Sequence, residues 1–145
     1  MTDSARWQAV QDRDSAADGR FVYAVTSTGI YCRPSCASRR PRRHNVRFFE
    51  LPEAAEQAGF RSCKRCRPRD EASLDPTIEK VRRICHFLDA SLDDADGGAP
   101  TLAEIAAAVG GSPHHLQRTF KRHLGVTPRQ YADARRLRRL KEGLK

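Results

Sequence analysis

The 145-residue chain has few aromatic side chains, one Trp, three Tyr and six Phe, and a single Met. So few large apolar groups argue against one large core and for two small ones, with help from something besides burial. No apolar run approaches the ~20 residues that cross a bilayer, which excludes a membrane-spanning helix. The stretch 1–14 lacks the basic start and apolar body of a secretion signal, so a cytoplasmic protein is expected. The length leaves no room for a large cofactor-binding enzyme core. Acid is missing locally: residues 32–49 hold six Arg and no Asp or Glu, and in 117–145 only Asp133 and Glu142 stand against ten Lys or Arg. With a net charge of +9, two separate basic regions point to one polyanionic partner touched twice. Residues 89–100 (DASLDDADGGAP) are acidic and Gly-containing, and read as a loop.

What the chain does have is cysteine, at positions 32, 36, 63, 66 and 85. The first four form C-x3-C and C-x2-C, two short pairs separated by a long loop, the spacing that brings four thiolates to one tetrahedral Zn²⁺. Two disulfides are the competing reading, and a cytosolic compartment disfavours them. One zinc per chain, held by Cys32, Cys36, Cys63 and Cys66, is therefore expected. Cys85 lies in segment 76–90, where Ile78, Val81, Ile84, Cys85 and Leu88 follow helical spacing, and is read as a core thiol.

Four thiolates make a closed site, whose ordinary role is structural. The setting argues for more. Cys32 ends a hairpin-like stretch, 21–31 (FVYAVTSTGIY), with Thr28 and Gly29 as its turn. Arg33, Arg39, Arg40, Arg61, Lys64 and Arg65 adjoin the ligands in sequence, so a phosphate could be held beside a thiolate. Of these, Arg39 and Arg65 are selected first as phosphate holders, with Arg33, Arg61 and Lys64 as helpers. The run 40–43 is read as a solvated loop.

The second half is helical. Asp75-Pro76 opens one helix, the capping box Thr101-Leu-Ala-Glu104 a second, Ser112-Pro113 a third after Gly110-Gly111, and Thr127-Pro128 a fourth. A short helix, a Gly-containing turn and a second helix with a basic outer face predict a helix-turn-helix. His114, His115, Gln117 and Arg118 then face the major groove as base readers. The expected fold is α+β: a zinc-stapled domain over 1–72, followed by an all-α subdomain over 73–145.

Four segments, RWQAVQDRD, ADGRFVYAVTSTGIYCRPSC, AGFRSCKRCRP and TLAEIAAAVGGSPHHLQRTFKRHLGVTP, resemble the amino-terminal part of the Ada family, bacterial regulators of the response to DNA methylation damage. The last of them is similar to the first helix-turn-helix of the AraC family. The resemblance implies that a zinc-bound thiolate at Cys32 takes a methyl group from a methylated phosphate of double-stranded DNA, once per protein molecule. Cys36, Cys63 and Cys66 match the other ligands. It also implies a methylation-activated transcription activator, with RNA polymerase as a partner, acting as a monomer at the nucleoid. Relatives carry two helix-turn-helix units and a Pro-Cys-His-Arg motif for methylated guanine. One unit and no such motif stand before Lys145, so weaker DNA binding and no guanine repair are expected of this chain. A zinc-stapled regulator that transfers nothing is the alternative.

Overall fold

The computed structural model describes residues 1–92 and 99–143. The chain divides into two compact units, Met1–Glu79 and Lys80–Lys145. The division falls at Glu79 rather than at 72. Backbone N–H groups of Leu74 and Ser73 donate to Gly19 O (3.0 Å) and Glu79 Oε2 (2.8 Å), which ties the connecting segment to the first unit.

In the first unit, helix α1 (Asp3–Asp12) starts at Thr2, whose hydroxyl accepts from Ala5 N. Strands β1 (Val22–Val25), β2 (Ile30–Cys32), β3 (Val46–Phe49) and β4 (Arg61–Ser62) form one sheet in the order β3-β1-β2-β4, with β2 and β4 parallel and the other pairs antiparallel. The expected hairpin is β1–β2. Gly29 takes φ +72° and donates to Val25 O, a turn conformation open to glycine at little cost.

Strand side chains alternate between faces, and this sequence sorts cleanly. Phe21, Tyr23, Val25, Ile30, Cys32, Val46 and Phe48 share a cluster with Trp7, Ala9 and Val10 of α1 and with the other three motif cysteines. Val22, Ala24, Tyr31 and Phe49 pack with Ala55 and Phe60 beneath helix α2 (Pro52–Gln57). Each face alone is a minimal core, and the sulfurs are part of one of them.

Helix α3 (Pro76–Ser91) begins in the first unit and continues into the second. It takes in Asp89, Ala90 and Ser91 of the segment read as a loop, and 93–98 lie outside the described residues. In the second unit follow α4 (Leu102–Val109), α5 (Pro113–Leu124) and α6 (Pro128–Gly143). The capping box of α4 is present, with Glu104 N donating to Thr101 Oγ1 at 3.1 Å. Thr127 and Gln130 form a second one at α6, which the sequence reading did not identify. Val81, Ile84, Cys85, Leu88, Ile105, Leu116, Phe120, Leu124 and Tyr131 are buried, and Phe120 meets Tyr131 edge-on with ring centroids 5.6 Å apart. Cys85 is a core thiol. Among the described residues, no helix is long and apolar enough to cross a membrane.

Candidate metal centre

Cys32 comes from the end of β2, Cys36 from the turn after it, and Cys63 and Cys66 from the loop following β4. Because β4 lies parallel beside β2, with Cys63 N donating to Tyr31 O at 3.0 Å, the two pairs leave the sheet at the same end. Their four sulfurs lie within 4.8 Å of one another and all four residues are buried. Four soft donors in so small a space are the set that tetrahedral zinc takes, and the site holds one zinc.

The local backbone is shaped to this end. Arg67 N donates to Cys63 O at 3.0 Å, closing the second pair into a tight knuckle, and Arg67 adopts φ 47° to do so. Cys36 N donates to Arg33 O at 3.0 Å and closes the first. Arg33 N donates to Cys66 Sγ at 3.4 Å, and the Ser38 hydroxyl lies 3.2 Å from Cys36 Sγ. Cys66 Sγ therefore accepts a hydrogen bond from the loop between the first two ligands, and Cys36 Sγ donates one to Ser38 Oγ.

Sulfurs this close compete for protons. Hydrogen bonding with Cys66 first, then burial, pushes the Cys32 thiol far above its ordinary range, and the same pairing, against the effect of burial, draws Cys66 down to about 6. Burial raises Cys36. A divalent cation replaces those protons, which is why such sites order on metal binding. Tyr23 stands directly opposite Cys32 in the β1–β2 register and lines the same cavity. Burial first, then the neighbouring thiolates, push its phenol up, so it stays protonated and is a donor.

A cavity of about 520 Å³ opens beside the centre. Cys32 and Cys63 line it, together with Tyr23, Arg39, Arg40 and Arg42. Of the five cations selected from sequence, Arg39 is in this cavity. Arg33 is turned to carboxylates, 3.2 Å from Glu71 and 3.8 Å from Asp18. Arg61 on β4, and Lys64 and Arg65 on the knuckle, are exposed outside the lining. Arg40 and Arg42, read as solvated loop, line the cavity instead. Adjacency in sequence placed cations near the ligands, whereas the path of the chain after Cys36 decides which of them turn back over the sulfur.

In the second unit, His114, His115 and Arg118 are exposed on the first turns of α5. Gln117 is half-buried and lines a cavity of about 350 Å³ with Thr101, Leu102, Thr127 and Pro128, so it faces the starts of α4 and α6.

Residues 5–69 match the metal-binding domain of Ada, and residues 100–132 match the bacterial regulatory helix-turn-helix proteins of the AraC family. The regulatory protein ada of Salmonella typhimurium is 45% identical over 144 residues, which are 99% of this chain and 39% of that protein. The bifunctional transcriptional activator/DNA repair enzyme AdaA of Bacillus subtilis is 40% identical over 144 residues, 99% of this chain and 65% of that protein. An NMR structure of the Escherichia coli Ada protein in complex with DNA is 41% identical, with 95% of each chain covered and a TM-score of 0.45. The chain thus spans about two fifths of the length of the Salmonella relative. With the metal-binding domain and its four clustered cysteines followed by an AraC-type helix-turn-helix, the chain belongs to the Ada family.

Proposed function

We propose that this chain repairs methylphosphotriesters in DNA by moving the methyl group to the Cys32 thiolate, once per molecule. The observation that carries this reading is the cavity in which Cys32 meets Arg39, Arg40 and Arg42. Cys36 and Cys66 stand outside the lining, which leaves Cys32 and Cys63 facing a substrate. Similarity to the Ada family favours Cys32 of the two.

Three guanidinium groups are suited to grip the DNA phosphates on either side of a damaged one, since Arg offers a planar fork to phosphate oxygens. Cys32 Sγ then attacks the methyl carbon in line. The S–C bond forms as the C–O bond breaks, and the electron pair leaves on the phosphate oxygen, which passes from neutral triester to anionic diester. Zinc held by Cys32, Cys36, Cys63 and Cys66 would keep these thiolates unprotonated, and Cys32 nucleophilic, at neutral pH. The Cys32 thioether is a poor leaving group, so the protein is consumed.

The second unit supplies sequence reading, through His115 and Arg118 first and His114 beside them, with Gln117 acting through the base of the helix. Methylation removes one negative charge from Cys32, and a unit charge ~8 Å from a phosphate at an effective dielectric of ~20 is worth about 2 kcal/mol, roughly thirtyfold in affinity. Repair thereby tightens promoter binding and makes the protein a transcription activator, with RNA polymerase as a further partner. The methyl-acceptor role belongs to the first unit and the sequence-reading role to the second, and the protein acts in the cytoplasm as a monomer on DNA.

The deciding experiment mixes zinc-loaded protein with methylated DNA and records intact mass and a peptide map. One added methyl on the peptide containing Cys32 is expected. An unchanged mass would leave a zinc-stapled DNA-binding regulator without transfer.

A further inference from the structure

Helix α1 buries only Ala9 and Val10, little core for a helix of ten residues. It is engaged instead with residues 38–43, the segment that carries Arg39, Arg40 and Arg42 into the cavity beside Cys32. At one end of that segment Arg13, which closes α1, donates from Nη2 to Ser38 O at 3.3 Å. Arg13 takes φ 49° there, a conformation glycine adopts at less cost, but glycine has no side chain with which to make this contact. At the other end Arg43 donates from Nη1 to Val46 O at 3.3 Å. Its guanidinium stands over two rings, 5.2 Å from the centroid of Phe48 and 6.0 Å from that of Trp7 on α1. A single helical turn, Arg43–Asn45, follows, and Thr26 N donates to Asn45 O at 2.8 Å. Trp7, Arg13 and Arg43 all lie outside the cavity lining.

We propose that α1 braces the arginine segment, and that Arg13 and Arg43, the latter seated on Trp7, are positioning residues for methyl transfer. The inference rests on Cys32 being the acceptor, as proposed above. Arginine side chains are long and flexible, so three of them meet a phosphate in one arrangement only when the backbone that carries them is fixed. Only residues 39–42 lie between the two grips, and Pro41 among them fixes one more backbone angle. Two holds this close together leave the segment little freedom.

Arg13 and Arg43 are also exposed cations, which attract DNA by charge alone. The two roles separate kinetically. A cation that only attracts DNA sets the concentration needed for half-saturation and is screened by salt, whereas a brace sets the rate once DNA is bound.

The test uses the full zinc-loaded chain and a DNA duplex bearing one methylphosphotriester. Arg13→Ala and Arg43→Ala are each expected to slow single-turnover transfer at saturating DNA about fivefold, the scale of one exposed hydrogen bond or cation–π contact, with zinc content unchanged. Arg43→Lys keeps a cation over the rings and should recover most of the rate. In ¹⁵N-labelled protein without DNA, the amide resonances of Arg39, Arg40 and Arg42 should move in both alanine variants and stay in place in Arg61→Ala, a cation on β4 outside the lining. Saturating rates within twofold of the parent in both alanine variants, a loss seen only in half-saturation, a lysine as slow as alanine, or unmoved amides would each overturn the inference. Absence of transfer to Cys32 in the parent chain overturns the function beneath it, and the amide shifts, which need no transfer, separate the two failures.

Discussion

The buried carboxylate of Asp18 accepts two hydrogen bonds from Ser35, one from its backbone N–H at 3.0 Å and one from its hydroxyl. Ser35 lies between the ligands Cys32 and Cys36, and Arg33 Nε stands 3.8 Å from the same carboxylate. A residue outside the cysteine motif thus holds the loop that carries half the ligand set. Asp18→Ala should weaken zinc retention by about 2–3 kcal/mol, the loss of charge-assisted hydrogen bonds at a buried group. Competition against a chromogenic chelator measures this. Retention equal to the parent protein would show that the loop orders without the carboxylate.

Zinc removal should unfold the first unit and spare the second. Trp7 packs against the cluster that includes the four ligand cysteines, and a structural zinc is worth on the order of 10 kcal/mol, more than so small a core supplies. Fluorescence of Trp7, the sole tryptophan, should report loss of that packing on chelation while most helical dichroism persists. Unchanged Trp7 emission in metal-free protein would be incompatible with this account.

Cations inside the cavity and outside it should behave differently. Arg39→Ala, Arg40→Ala and Arg42→Ala are each expected to slow single-turnover transfer by about tenfold or more, one charge-assisted contact to phosphate, with zinc retained. Arg61→Ala, Lys64→Ala and Arg65→Ala should change DNA affinity slightly and lose that effect at high salt, as screened surface charges do. Arg33→Ala should act on zinc retention instead, because Arg33 is engaged with Glu71 and Asp18. Quenched-flow rates over the seven variants decide the matter.

Arg67 sits in the left-handed region at φ 47°, at the close of the Cys63–Cys66 knuckle. That conformation costs a side-chain-bearing residue about 1–2 kcal/mol, part of which glycine loses again through greater freedom in the unfolded chain. Arg67→Gly should therefore stabilise the zinc-loaded first unit by about 0.5–1 kcal/mol, and Arg67→Val should destabilise it by a similar amount or more. Denaturant midpoints with unchanged slopes give the answer.

In the second unit, Arg118→Ala is expected to relax base preference by about 1–3 kcal/mol at one position without altering stability, since Arg118 is exposed. Gln117→Ala should lower the melting temperature as well, because Gln117 lines the cavity between the starts of α4 and α6. Binding to a panel of single-base variants, read beside thermal unfolding, distinguishes a base reader from a residue that supports the helix.

Much of this protein follows from short-range chemistry and is therefore written locally in its sequence. The spacing of Cys32, Cys36, Cys63 and Cys66 specifies a zinc site because ligand number and donor softness need no knowledge of the rest of the fold. Thr101 with Glu104, and proline at 76, 113 and 128, mark helix starts because a capping hydrogen bond spans three residues and a missing N–H costs nothing in a first turn. The pairing of Tyr23 with Cys32 was within reach too, since a four-residue turn between Val25 and Ile30 fixes the register of the hairpin. Which arginines face the sulfur was not. Charge has no periodicity, an Arg side chain reaches in any direction, and Arg40 and Arg42 enter the cavity only because the chain after Cys36 doubles back across β1 and β2. The same holds for Asp18, far from Ser35 in the chain and brought to it by the sheet. Ligand identity was set by the sequence; which sulfurs face the cavity, and which groups line it with them, belongs to the tertiary structure, because it depends on contacts between segments that no local pattern connects.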